Sequence, residues 1–307
     1  GHDHDHVAHG AHAHGTTAIG RAFALGIGLN VTFVVVEAAY GVAAGSMALV
    51  ADAAHNLSDV LGLVLAWGAV ALARRKPSRR HTYGLRKGTV LAALANAVLL
   101  LVAVGGVAWE AIGRLRSPGH VESRTVIFVA AVGIVINASS ALLFASGRKS
   151  DANIKAAFLH LAADALVSLG VVLTGVVLHK TGWQWLDPAV SLVVSLAILW
   201  GTWGLLREAL NLALDAVPEH VDAEKVFAFL AGLDGVREVH DLHIWAMSTT
   251  EVALTAHLVM DGAAHHPAFL RNVAHELEGR FRIEHATLQV EPPEAPEPCR
   301  LASAEVP

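Results

Sequence analysis

Charge is scarce in this chain: Asp, Glu, Lys and Arg make up 16% of its 307 residues, against about 25% in an ordinary soluble domain. With 54% of the residues apolar, so few charges exclude both a self-repelling disordered polymer and a wholly water-facing globule. Cysteine is nearly absent. The single Cys299, in a proline-rich tail, excludes an intrachain disulfide and any multi-cysteine metal site. A uniform basic face is missing too, because the cations gather between Arg74 and Lys87 while acidic residues dominate the last third and the net charge is -5. That distribution excludes nucleic acid as a partner. The opening GHDHDHVAHGAHAHG has no basic n-region and no cleavable apolar core, so no signal peptide is read and the first membrane helix is expected to serve as an uncleaved one.

What is abundant is long apolar runs. A hydrocarbon core about 30 Å thick is crossed by roughly 20 apolar residues of helix. Six segments qualify, at about 17–42, 47–73, 88–113, 122–146, 154–179 and 188–206, separated by Gly45-Ser46, Lys76-Pro77-Ser78, Ser117-Pro118-Gly119, Gly147 to Ser150 and Gly182. Asp187-Pro188 reads as an N-cap followed by first-turn proline for the sixth. Lys and Arg are dense between helices 2 and 3 and present between 4 and 5, so the positive-inside rule places both chain ends in the cytoplasm, although Arg114, Arg116 and Arg124 dissent.

Beyond about residue 207 the period changes. GVREVHDLHIWAMS and TEVALTAHLVM alternate as two strands turning through Ser248-Thr249-Thr250, PAFLRNVAHELEGRF is an amphipathic helix, and HATLQVEPP is a third strand stopped by proline. With a helix at about 221–233 the order is αββαβ, a small α+β domain with its helices on one sheet face. The expected organisation is therefore a histidine-rich disordered segment 1–16, an all-α six-helix transmembrane domain 17–206, an α+β domain 207–291 and a disordered tail 292–307.

The second helix carries polar groups at mid-span. His55 and Asp59 lie four apart, on one helix face, and the fifth helix repeats the spacing with His160 and Asp164. Ionisable groups at this depth cost several kcal/mol, and two imidazoles with two carboxylates make a tetrahedral nitrogen-and-oxygen shell suited to zinc. Asp52, three residues before His55, is assigned to helix packing or support of the ligands. Asn30, Glu37, Asn96 and Asn137 are read as interhelical hydrogen-bonding groups.

In the soluble part, His240 and His243 differ by an odd number and face opposite sheet surfaces unless the strand bulges. The preferred cluster is His240, His257 and Glu291, with His285 as a fourth candidate. His265, His266 and His275 are read as solvated, and the histidines at 2, 4, 6, 9, 12 and 14 as weak metal capture.

In the order SMALVADAAHNLSD, HTYGLRKGTVLAALANA, NIKAAFLHLAADALVSLGVVL, WLDPAVSL and VHDLHIWAMS, the chain resembles the cation diffusion facilitator family of zinc and cobalt-zinc-cadmium exporters over nearly its whole length. The resemblance implies a homodimeric metal–proton antiporter of the bacterial inner membrane that moves Zn2+, with Cd2+, Co2+ or Ni2+ as secondary substrates, out of the cytosol. It implies His55, Asp59, His160 and Asp164 as the transport site, and a ferredoxin-like cytoplasmic domain that binds metal through His240, His257 and Glu291 and helps hold the dimer. Two departures stand out. The loop between helices 2 and 3 offers His81 but no acidic residue for a second loop site, and ASGRKSDANIK has no histidine-rich insert. The rivals are an intramembrane metalloenzyme, against which stand the lack of HExxH and of a general base beyond the ligands, and a membrane metal sensor, against which stands the lack of an output domain.

Overall fold

The computed structural model describes residue 28 and residues 31–144, 152–260 and 267–293. The histidine-rich segment, the start of the first expected helix with Asn30, the stretch joining the fourth and fifth helices, His265, His266 and the tail with Cys299 lie outside the described residues. Six helices come first: α1 (Val31–Ala43), α2 (Met47–Ala73), α3 (Gly88–Arg116), α4 (Ser123–Phe144), α5 (Ala152–Thr181) and α6 (Leu186–Ala213). Helices α2 to α6 have 27, 29, 22, 30 and 28 residues, and at about 1.5 Å per residue each is long enough for a bilayer core. These are followed by α7 (Ala223–Ala231), β1 (Val236–Ala246), β2 (Val252–Met260), α8 (Pro267–Phe281) and β3 (His285–Glu291). A bundle of apolar helices thus precedes a small α+β domain, the fold class expected from the sequence.

Helix α6 continues to Ala213 instead of stopping near 206. No Gly or Pro interrupts the chain between Gly204 and Pro218, so nothing breaks the helix at Arg207-Glu208. It ends where Asp215 turns left-handed at φ 60° and Ala216 N–H returns to the Asn211 carbonyl at 3.0 Å.

The chain divides into two compact units, Gly1–Leu61 with Leu99–Trp200, and Gly62–Val98 with Gly201–Pro307. In the first, the packing rests on small residues. A Cβ on Gly133 would come within 2.9 Å of the Phe33 ring, and one on Gly175 within 2.8 Å of Ile127 Cγ1, so α1 and α5 both approach α4 closely, as helices without a hydrophobic driving force between them must. The start of α2 is also fixed. Gly45 takes φ 69°, Ser46 Oγ accepts the Leu49 N–H at 3.2 Å and donates to Asp187 Oδ1 at 2.5 Å, and Asp187 Oδ2 accepts the Met47 N–H at 2.7 Å. Asp187 was expected to cap its own helix. It lies inside the first turn of α6 and instead gives its carboxylate to the N-terminal amides of α2, where orphan donors and the helix dipole favour a negative charge.

In the second unit, β1 pairs antiparallel with β2, and β2 pairs parallel with β3 through the α8 crossover. Asp222 caps α7 by accepting the Lys225 N–H at 3.1 Å. Both helices cover one sheet face: Val226 and Leu230 of α7 and Val273 and Leu277 of α8 share a core with Val239, Leu242, Ile244, Leu254 and Leu258. The segment before α3 and the first turn of α3 are fastened within the same unit. Arg86 Nη1 meets Glu251 Oε2 at 2.9 Å, Lys87 pairs with Asp215 and reaches the Ala246 carbonyl at 3.0 Å, and Thr89 Oγ1 accepts the Thr249 N–H at 3.0 Å.

Candidate metal centres

Helices α2 and α5 bring their two His-x-x-x-Asp pairs together. His55 Nε2 lies 3.4 Å from Asp164 Oδ1 and 3.8 Å from Asp59 Oδ2, while His160 Nε2 lies 3.1 Å from Asp59 Oδ2 and 3.6 Å from Asp164 Oδ2. Each imidazole therefore faces both carboxylates, and the rings meet edge to face at 5.9 Å. A tetrahedral ion with bonds of about 2.0 Å needs ligand atoms about 3.3 Å apart; His55, Asp59 and His160 offer one atom each within 4.8 Å of one another, and Asp164 stands beside them with Oδ1 toward His55 and Oδ2 toward His160. The shell is deep on one side and open on the other, for the Asp164 side chain is 6% exposed and that of His160 48%.

Around this shell lie buried polar contacts. Asp52 is fully buried and accepts the Ser168 hydroxyl at 3.0 Å, joining α2 to α5. Glu37 on α1, also fully buried, accepts the Asn56 amide at 3.3 Å. Both form interhelical hydrogen bonds, the role expected for Glu37, while Asp52 was expected in helix packing or support of the ligands, and both stand beside the shell rather than in it: Asn56 follows His55, and Ser168 is one turn beyond Asp164. Asn137 is buried as well, but its amide nitrogen meets no acceptor among the described residues.

In the second unit the cluster forms on the sheet face away from the helices. His240 and His257 are directly paired across β1 and β2, with their rings 5.2 Å apart. Glu291 Oε1 lies 3.0 Å from His257 Nδ1, and Glu291 Oε2 lies 3.5 Å from His240 Nε2. The three offer one nitrogen or oxygen each within 4.8 Å of one another. The structure does not bring His285 to them. It shares their sheet face but sits at the other end of β3, six residues and about 20 Å along the strand, with its ring against Tyr83 at 5.6 Å.

The bulge matters for His243. The register shifts between His240 and His243, and Asp241 there adopts φ 51°. One residue is thereby dropped from the alternation, so Val239 and Leu242 both reach the core and His243 shares the open face with His240. His243 nevertheless turns to Asp241, 2.9 Å away, and Asp241 Oδ2 lies 3.6 Å from His257 Nε2. Asp241 was missed as a neighbour of the cluster. The signal for it was the apolar spacing Val239, Leu242, Ile244, three residues and then two.

Two family models match the chain, one described as the cation efflux transmembrane domain over residues 24–212 and one as the cation efflux protein cytoplasmic domain over residues 218–293. Among relatives, the cation efflux system protein CzcD of Alcaligenes sp. (strain CT14) is 36% identical over 305 residues, covering 99% of this chain and 92% of its own. The zinc transporter ZitB of Escherichia coli (strain K12) is 36% identical over 290 residues, 92% of each chain. A cadmium, cobalt and zinc/H(+)-K(+) antiporter of Bacillus subtilis (strain 168) is 31% identical over 264 residues, 84% of this chain and 85% of its own.

Proposed function

The chain belongs to the cation efflux family, and from that premise we propose that it is a zinc/proton antiporter that exports Zn2+ from the cytosol by alternating access through His55, Asp59, His160 and Asp164. Membership makes it a multi-pass integral membrane protein that transports metal cations, and a transporter rather than an enzyme. The finer reading rests on one observation: two His-x-x-x-Asp pairs on membrane-length helices face each other, with His55, Asp59 and His160 offering one ligand atom each within 4.8 Å of one another and Asp164 adjoining both imidazoles.

Imidazole nitrogens in both pairs favour zinc over the harder magnesium and calcium ions. Zinc binds deprotonated ligands, so loading the shell expels the protons its four groups carry, and protonation expels the metal. Metal and proton thus exclude one another at one place. Alternating access to that place turns the exclusion into exchange. The relatives' names, a zinc transporter and a cadmium, cobalt and zinc/H(+)-K(+) antiporter, support metal transport with protons among the counter-ions. Both termini are assigned to the cytoplasmic side of a bacterial inner membrane, with the αββαβ domain as a cytoplasmic metal-binding and homodimerisation module in which His240, His257 and Glu291 hold Zn2+.

The test is zinc uptake into sealed proteoliposomes under an imposed pH gradient, with wild type beside the His55→Ala, Asp59→Ala double variant. Gradient-driven flux that disappears in the variant is the expected result, together with zinc affinity that falls as pH falls. Equal flux in both proteins would place the pathway elsewhere.

A further inference from the structure

A groove of about 460 Å³ runs between α1 and α4 in the first unit. Its walls follow helical spacing on both sides: Phe33, Val36 and Tyr40 line it at i, i+3 and i+7 on α1, and Thr125, Phe128 and Val132 do so on α4. The two helices are antiparallel here, their near ends tied by the Glu122 N–H to the Ala44 carbonyl at 2.9 Å. Tyr40 and Arg124 consequently stand at the same end, while Phe33 and Val132 stand about 12 Å deeper. The groove is thus polar at its mouth and hydrocarbon below.

Arg124 is exposed and has no carboxylate partner among the described residues. The contrast with Arg114 is informative, because that guanidinium is committed to Glu110 at 3.1 Å and to the Gly45 carbonyl at 2.7 Å. Glu122 does not neutralise Arg124 either, since an offset of two residues does not bring side chains to the same helix face. A guanidinium without a carboxylate partner among the described residues, at the polar end of an apolar slot, complements a phosphodiester carrying a net negative charge, the guanidinium fork matching two phosphate oxygens.

We propose that this groove seats a membrane phospholipid with an anionic headgroup, its phosphate on Arg124 beside Tyr40 and the upper part of one acyl chain against Phe33, Phe128 and Val132. The site lies apart from the four converging metal-binding side chains and does not depend on which ion they carry.

The full chain is purified in detergent, exposed to an equimolar mixture of phosphatidylglycerol and phosphatidylcholine with identical acyl chains, and examined by native mass spectrometry. One phosphatidylglycerol per chain is expected, retained about fivefold over phosphatidylcholine, the preference that one cation near a membrane surface supplies. Arg124→Gln removes the preference, Arg124→Lys keeps most of it, and Val36→Trp, which fills the slot, lowers retention of both lipids. Equal retention of the two lipids by wild type overturns the proposal, as does a preference unchanged in Arg124→Gln. Because Arg124→Lys tests charge in a near-native side chain, a folding defect in the glutamine variant does not decide the outcome.

Discussion

Asp164 is the most enclosed of the four groups that converge between α2 and α5, and it faces both imidazoles. Replacing it with alanine removes a carboxylate that no neighbour substitutes, since Asp52 is occupied with Ser168 and Glu37 with Asn56. Asp164→Ala is expected to weaken zinc binding at this shell by at least about 10-fold, the lower end of what losing even an outer-shell partner costs, and to abolish flux in proteoliposomes with assembly unchanged by gel filtration. Retained flux would remove Asp164 from the pathway. At this scale the sequence was readable where position follows helical spacing: a four-residue interval puts His55 with Asp59, and His160 with Asp164, on common faces. Nothing local showed that Asp187 serves α2, because its partners Ser46 and Met47 are 141 and 140 residues away. Its own neighbourhood reads equally well as a cap for α6.

The helices were legible because apolar length and Gly or Pro punctuation are local properties, so α2 was expected at 47–73 and is found as Met47–Ala73. Their contacts were not, since only packing tells which glycine lies at a helix crossing. Gly175 faces Ile127 of α4 with no room for a Cβ, whereas nothing lies within 4 Å of a Cβ built on Gly170, only five residues earlier on α5. Gly175→Ala is therefore expected to destabilise the protein by about 1–3 kcal/mol through overpacking. Gly170→Ala is expected to be neutral or stabilising, because alanine restricts the unfolded chain. Thermal unfolding of the two variants in one detergent checks this, and equal midpoints would show that α4 and α5 adjust freely at Gly175.

On the scale of the molecule, two clusters of potential ligands form among the described residues, one in each compact unit, with different chemical settings. The shell between α2 and α5 has two carboxylates and two imidazoles, and the sheet cluster has one carboxylate with two imidazoles. Changing His240 and His257 together to alanine is expected to lower the zinc stoichiometry of the full chain, read by titration calorimetry, while gradient-driven flux persists. Loss of all flux in a folded protein would contradict that division. The sheet cluster also shows how a global arrangement hangs on one backbone position. The left-handed Asp241 acts as a skipped beat in the strand, letting Val239 and Leu242 keep the same face although three residues separate them. Without that beat, the half of β1 before it would be turned over, His240 would point into the oily side and Val239 outward. Surface loops in general tolerate gains and losses of length. Here one residue more or less is a frameshift written in the protein itself, and it would dismantle the cluster while leaving every one of its side chains in the sequence.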